Sequence, residues 1–542
     1  MAGEDTQDSE AGSAADRFEV VIVGGGPVGV ALAVELGQRG VRCVVVERHH
    51  EVGHIPKGQN LTQRSLEHFY FWGCVDRLRA ARLLPPGYPI GGVTAYRSLF
   101  SPYWYAPAGL EQVRSFYFQD NDRLPQYLTE EVLRTRLTEL DSATTLFGWT
   151  ATRIEQDAHG VRVSVTGGPG RSESRVIEAD YLVGCDGARS LVREHLGIKL
   201  EGPNFNQKMV LAVFRSREFH EGLRRFPERT TYRVLKPELR GVWQFFGRVD
   251  VGETFFFHAP VPRETTEEDG EAITALIDEV AGFPTHAKLD HLGFWELRVE
   301  VAASYRQGRA FIAGDAAHSH PPYGGFGLNT GLEDVTNLGW KLAGALRGWG
   351  GDGLLDSYSQ ERQPVFWETG VAYIAGGIQR DDEFLQRYRP EHDLPEFEAA
   401  WGKRTTGDAA GPAYEPNYGG SPVVFGSEGA TSGVSGGHTF AAQAGHHLAP
   451  LVLSSGRNVY EELGSDFTLI ALGADPAVVE GFEASARAHG VPLKVLTDSR
   501  EGDRQEFRAG LVLVRPDQFV AWAGDQEPSD IEALFRRVTG TR

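Results

Sequence analysis

Residues 18–48 read FEVVIVGGGPVGVALAVELGQRGVRCVVVER. An apolar β-run ends in Gly24-x-Gly26-x-x-Gly29, a helical stretch follows, and a second β-run closes on Glu47, eighteen residues after Gly29. The first glycine permits the tight turn, the second lets the backbone approach a pyrophosphate, and the third lets helix and strand pack closely. Pro27 and Val28 sit within the turn, and the partial positive charge of the helix N-terminus then faces a phosphate. A carboxylate at the end of the second strand is placed for ribose hydroxyls, with Arg48 beside it. The order strand, turn, helix, strand, acid predicts a Rossmann-like dinucleotide-binding unit. Another GxGxxG, Gly348-x-Gly350-x-x-Gly353, follows a helical stretch and precedes no strand–helix unit, so it reads as a loop.

Two later stretches carry related signals. YLVGCDGARSLVREHLGI, residues 181–198, is a β-run leading through Asp186-Gly187 into a helix, and alone it reads equally as a strand–turn–helix with a capping aspartate. AGDAAHSHPPYGGFGLNTG, residues 313–331, places Gly314-Asp315 at the end of a β-run. Beyond it, Leu332, Val335, Leu338, Leu342 and Leu346 recur at helical spacing. His318 and His320 could suggest a metal site, but no cysteines or carboxylate cluster supply further ligands. A free linker would not separate a β-run from an amphipathic helix. A cofactor-pocket wall explains the glycines, the aspartate and the helix start together.

The chain has 542 residues, enough for two or three domains, and a formal net charge of −20. That charge argues against nucleic acid or an anionic membrane as partner. Its three cysteines, Cys43, Cys74 and Cys185, form no Cys-x-x-Cys pair, which predicts a reduced, cytoplasmic setting. Residues 1–16 are acidic and small and read as a disordered tail. Residues 401–437 are rich in Gly, Ser and Pro and read as a linker. Beyond it, DFTLIAL, VPLKVL and GLVLVRP read as short strands of a small α/β unit.

Taken together, Gly24, Gly26, Gly29 and Glu47, then Asp186-Gly187, then Gly314-Asp315 with PPYGGFGLNTG resemble the class A flavoprotein monooxygenases, the aromatic hydroxylases. The likeness runs from about residue 17 to the C-terminus. LVLVRPDQFVAW, residues 511–522, resembles the closing strands of the thioredoxin-like domain in the phenol hydroxylase branch, with Gln518 where that motif has glycine. The resemblance implies an α/β fold: a Rossmann-like FAD-binding region (17–400) with an inserted mixed-sheet substrate domain (about 91–125 and 200–294), then a thioredoxin-like domain (438–542). It implies non-covalent FAD, with NADPH or NADH and O2 as co-substrates. Glu47 would bind the adenosine ribose, and Asp315 a ribityl hydroxyl. Asp186-Gly187 would help hold both FAD and the nicotinamide. Lys57, Arg64 and Gln126 match positions lining FAD, with arginine usual where this chain has Lys57. Pro322, Gly325, Gly327, Leu328 and Asn329 would complete the flavin wall.

The implied reaction is hydroxylation of a phenolic or hydroxylated heteroaromatic ring through a flavin C4a-hydroperoxide, ortho to an existing hydroxyl. A group near the phenol must then favour its phenolate. The residues singled out are Gln59, Glu296, Arg298, His320 and Tyr323. Each has a plain alternative: Glu296 and Arg298 alternate along a strand and could pair across a face, and Tyr323 could simply pack. A disulfide reductase lacks its cysteine pair here. The Trp-x-Trp-x-Ile-Pro signature of flavin-dependent halogenases is absent. An oxidase or a non-hydroxylating tailoring enzyme acting on a polycyclic aromatic product, and a non-catalytic flavin-binding scaffold, remain as the other readings. The C-terminal unit reads as structural or as a homo-oligomer contact.

Overall fold

The computed structural model describes residues 16–107, 110–168, 173–405 and 414–541. Of the expected tail, residues 1–16, residues 1–15 lie outside them and Asp16 begins the first strand. β1 (Asp16–Val23) and β2 (Cys43–Glu47) pair in parallel, joined by α1 (Pro27–Gly37). Strand Glu173–Gly184 pairs in parallel with β1, and Ala310–Ile312 in parallel with it in turn. In this register Val23 lies beside both Val46 and Gly184, and Gly184 beside Ile312. The Gly24 turn, Glu47, Cys185-Asp186 and Gly314-Asp315 therefore emerge along one carboxyl edge, the edge where open parallel sheets bind ligands. Three motifs separated by hundreds of residues meet because of strand order alone.

The glycines fit this geometry. A Cβ on Gly29 would stand 1.9 Å from the Gly24 carbonyl oxygen, and one on Gly24 (φ +104°) 2.3 Å from that of Cys185. A Cβ on Gly26 would meet nothing within 4 Å. A long helix, Phe326–Leu346, packs behind α1. Its expected apolar stripe holds, with Leu332, Val335, Leu338 and Leu342 buried, but the polar residues between them are buried too. The loop reading of Gly348–Gly353 is met in part: residues 348–351 join the long helix to the helix Asp352–Glu368, Gly353 lies in the first turn of that helix, and Gly351 and Gly353 donate backbone N–H groups to Thr539 and Gly540.

A seven-stranded sheet faces the first. Its order is Lys288–Arg298, Asn204–Arg215, Thr254–Val261, Gln244–Arg248, Thr231–Leu235, Gly92–Tyr96, Trp104–Tyr105, antiparallel except for the pair Thr231–Leu235 and Gly92–Tyr96. The sheet extends to Arg298, and residues 110–125 give it no strand; Asp122–Arg123 pairs with Asn60–Leu61 instead. Side chains alternate along the central strands, with register shifts where Asn204–Arg215 meets Lys288–Arg298. Phe214, Phe246, Phe255 and Phe257 join one core with the helix Gly270–Ala281, while Met209, Leu211, Phe245 and Phe256 on the other face join a core with Tyr323, Ile374 and Ile378.

The C-terminal unit has strand order Leu493–Asp498, Phe467–Leu472, Leu511–Val514, Val520–Gly524, with helices Pro476–Ala488 and Ile531–Val538. Of residues 401–437, expected as linker, 401–405 end the helix Leu394–Thr405 and 414–437 are packed. Tyr414–Asn417 pairs with Gly433–Ser435, and Tyr418, Val423 and Val424 are buried. The aromatic and β-branched residues among its glycines find partners in the surrounding cores. Residues 406–413 lie outside the described set.

Candidate active site

Between the carboxyl edge and the seven-stranded sheet lies a cavity of about 750 Å³. One wall carries Gly26, Pro27, Val28, Gly187, Asp315, Pro322, Gly325, Gly327 and Leu328. The other carries Leu211, His258, Trp295, Glu296 and Arg298 from the sheet. Lys57, Gly58, Gln59, Asn60 and Gln126 close it from the side.

The dinucleotide wall is built to receive anions. Gly26 caps α1 without any side-chain hydrogen bond, so the first-turn N–H groups stay available. Glu47 lies beyond the cavity lining, where it accepts hydrogen bonds from Gly25 N at 2.7 Å and His49 N at 2.8 Å. Arg48 is exposed. Asp315 is exposed on the cavity side, and desolvation by the surrounding protein raises its carboxyl from the usual range. Gly314 and Gly325 take φ of +60° and +74°, backbone that glycine adopts without strain. Asn329 does not line the cavity. Its Oδ1 accepts from Thr62 N (2.9 Å) and Ser65 Oγ (2.6 Å), and its Nδ2 donates to Asn60 O (2.8 Å) and Gly325 O (2.6 Å). It therefore rivets the helix start to the segment that carries Gln59.

Gln59 is 5% exposed, and among the described residues neither its Oε1 nor its Nε2 has a hydrogen-bond partner. A buried amide without partners is costly unless a ligand satisfies it. His320 behaves similarly. Its Nδ1 lies 2.6 Å from Pro321 O, so Nδ1 carries the hydrogen and the unpartnered Nε2 is an acceptor. Burial lowers its pKa to about 4, which leaves it neutral at pH 7. His318 Nε2 bonds Asp334 at 2.6 Å, and both imidazoles stack on Phe366. These contacts hold both rings in the turn, with His320 at the cavity lining. Among the described residues, no group of three His, Cys, Asp or Glu could hold a metal ion.

Other sequence candidates fall elsewhere. Tyr323 lines a neighbouring cavity of about 660 Å³; its hydroxyl accepts from Trp243 N, and its ring stacks on Trp243 at 4.3 Å. Glu296 and Arg298 sit at the cavity rim and pair with Arg263 (3.7 Å) and Glu300 (3.1 Å) rather than with each other. Asp186 folds back to accept Ser190 Oγ (2.5 Å) and Val192 N (3.1 Å), while Ser190 itself caps the helix, and it is Gly187 that reaches the cavity. Arg64 points away from the cavity, held by Glu333 and by the backbone oxygen of Asp517.

His258 was not foreseen. It is buried in the sheet face, accepts from Trp295 Nε1 at 3.1 Å, stacks on Phe245 at 4.8 Å, and is pushed down to about 3 by burial. The signal was present as period-two alternation in TFFFHAPV, which puts Phe256 and His258 on one face.

Comparison with known proteins decides what this cavity belongs to. Residues 17–370 match the family described as FAD binding domain, and residues 441–541 match the aromatic-ring hydroxylase C-terminal family. The chain belongs to the FAD-dependent aromatic-ring hydroxylases. It is 33% identical to a putative polyketide hydroxylase of Streptomyces halstedii across 98% of both chains. It is 30% identical to a 4-methyl-5-nitrocatechol 5-monooxygenase of a Burkholderia species, covering 95% of this chain and 96% of the relative. The flavin-dependent monooxygenase PieE, solved with FAD and substrate, superposes with a TM-score of 0.83 at 26% identity, over 98% of this chain and 100% of PieE. This hydroxylase is thus an FAD enzyme, and the open Gly26 cradle and the uncapped α1 are compatible with that cofactor. Among its described residues no helix is long and apolar enough to cross a membrane.

Proposed function

We propose that this hydroxylase consumes NAD(P)H and O2 to hydroxylate a phenol or hydroxylated heteroaromatic ring, ortho to an existing hydroxyl. The observation that carries the reading is the Gln59 amide, unpartnered at both atoms, in a cavity with a dinucleotide turn on one side and an aromatic sheet face on the other. Bound FAD would supply the reduction by NAD(P)H and the activation of O2. The chain's own residues do the rest. Gly26 and the α1 N-terminus receive the pyrophosphate, Asp315 accepts from a ribityl hydroxyl, and Lys57 and Gln126 flank it. The long helix begins at Gly325 without a side-chain cap, so its positive end favours negative charge on the ring system beside it. Gln59 can both donate to and accept from a substrate hydroxyl. His320 offers a neutral acceptor that holds the phenolic proton in place. Leu211, His258 and Trp295 bound the ring and exclude water, with Phe245 stacked behind His258.

A polycyclic phenol is the second reading. It is favoured by the 660 Å³ cavity on the other side of the Tyr323-Gly324 turn, lined by Trp243, Phe326, Tyr373 and Phe384. The test is a panel of phenols, hydroxypyridines and polycyclic phenols, with NAD(P)H oxidation and oxygenated product both measured. A productive substrate should also speed flavin bleaching in stopped flow over the substrate-free enzyme. Equally fast bleaching without any aromatic ligand, and no oxygenated product from the panel, would overturn the reading.

A further inference from the structure

The long helix carries a second pattern besides its apolar stripe. Asn329, Glu333, Asn337 and Lys341 recur at spacing four, which makes one continuous ridge along a helix. All four are buried polar residues. At the cavity end, Asn329 rivets the Gly325 turn to Asn60 and Thr62. At the far end, Lys341 Nζ and Asn337 Nδ2 both donate to Glu361 at 2.6 Å. Between these ends the ridge meets a strap from the C-terminal domain, residues 515–518. Arg515 grips Glu361 (2.6 and 2.9 Å) and Asp517 (2.9 and 2.6 Å), with every one of these side chains fully buried.

Gln518 completes the strap, and its conformation is costly. Its φ is +61°, in the left-handed region that favours glycine. The branch motif has glycine at this place. What the side chain gives in return is a bridge. Its Nε2 donates to Pro516 O at 2.6 Å, and its Oε1 accepts from Arg64 Nη1 at 2.9 Å. Arg64 also donates to Asp517 O (2.6 Å), to Glu67 (3.1 Å) and to both carboxylate oxygens of Glu333 (3.0 and 3.3 Å). His68 closes on Glu333 from the other side at 2.8 Å. One turn from Asn329, the ridge is thus fixed by a guanidinium that the C-terminal domain holds. The neighbouring Asp334 takes Gly314 N (3.0 Å), His318 Nε2 (2.6 Å) and Arg362 Nε (2.8 Å), so the same turn of helix also sets the Gly314-Asp315 corner.

We propose that the C-terminal domain is part of the flavin holder, and that Gln518 and Arg64 are positioning residues acting through Glu333 and Asn329. Neither touches the cavity. Their effect passes along the helix ridge to the turn that faces FAD.

The test uses the full-length holoenzyme and its apoprotein, with FAD itself as the probe. Gln518→Gly and Gln518→Ala both delete the bridge to Arg64, but only glycine relieves the left-handed backbone. Gln518→Gly should therefore melt at least as high as Gln518→Ala. Both should bind FAD roughly fivefold or more weakly than wild type, the size of one lost hydrogen bond to a charged group transmitted in part. Hydrogen exchange in residues 326–333 should quicken in both. A structural role alone would make FAD affinity follow melting temperature, with Gln518→Gly binding as tightly as wild type. That outcome overturns the proposal, as does unchanged exchange in the helix start. Arg64→Lys gives an independent arm. Lysine keeps the charge but cannot span Glu333 and Gln518 together, so FAD binding should weaken here as well, and wild-type affinity would count against the ridge. None of these readouts involves an aromatic substrate, so failure here is distinct from failure of the substrate reading.

Discussion

On the dinucleotide side of the cavity the ligand-facing groups are mainly backbone: Gly26, Gly187, Gly325 and Gly327 line it, and α1 leaves its first N–H groups uncapped. On the sheet side they are side chains: Leu211, His258, Trp295 and the rim pair Glu296 and Arg298. The first wall recognises a constant partner through a shape that only glycine allows. The second presents a surface whose chemistry can change residue by residue without disturbing a strand.

The sharpest way to break this contrast lies among the glycines. Gly29→Ala places a Cβ 1.9 Å from a backbone oxygen, so it should cost the fold of the first domain. Gly26→Val places its side chain in open cavity, so it should give folded, colourless apoprotein. Circular dichroism and flavin absorbance on both variants check this. A yellow Gly26→Val enzyme would break the assignment of the pyrophosphate site. Next in size is Asp315→Ala. Losing a charge-assisted hydrogen bond of about 1.5–3 kcal/mol should weaken FAD roughly tenfold to hundredfold with the fold retained, as read by fluorescence titration.

The sheet side and its neighbour Gln59 should respond differently. Gln59→Leu removes an amide that no protein group uses, so FAD affinity should hold while product per NAD(P)H falls about fivefold or more, the worth of roughly one hydrogen bond of about 1 kcal/mol. Product and NAD(P)H assays run in parallel read that ratio. A drop in FAD affinity instead would move Gln59 to the cofactor wall.

The smallest effect is on pH. Burial lowers His258 to about 3 and His320 to about 4, below the ordinary 6.5. The unfolded chain then takes up protons first, so stability is full above about pH 6.5 and falls as the pH drops toward the folded values. Each such histidine contributes a slope of up to roughly 1.4 kcal/mol per pH unit. Melting temperatures between pH 7 and 5 should fall for the wild type and fall less steeply for His258→Phe.

The same contrast explains what the sequence made legible. Gly24, Gly26, Gly29 and Glu47 form one local pattern with one geometric meaning, and Gly314-Asp315 ends a strand that could only join the same edge. Those placements follow from local rules and strand order. Arg64 and Tyr323 show the limit. Their local sequences carry no sign that Glu333, Asp517 and Gln518 would turn the first toward another domain, or that Trp243 would take the second into a neighbouring cavity. Residues 414–437 misled through composition, because their glycines outnumber the few aromatic and β-branched residues that pack. His258 needed knowledge of which sheet face meets the cavity, which depends on cross-strand register.

The central claim is that this cavity brings a flavin and a phenolic ring together for oxygen transfer. It is tested most directly by turnover under oxygen-18 gas, with NAD(P)H and whichever phenol couples best. The account predicts one labelled atom per product molecule, on the ring carbon ortho to the original hydroxyl, and none when the label is in water. Label entering only from water, or NAD(P)H consumed with every labelled atom recovered as hydrogen peroxide, would contradict it.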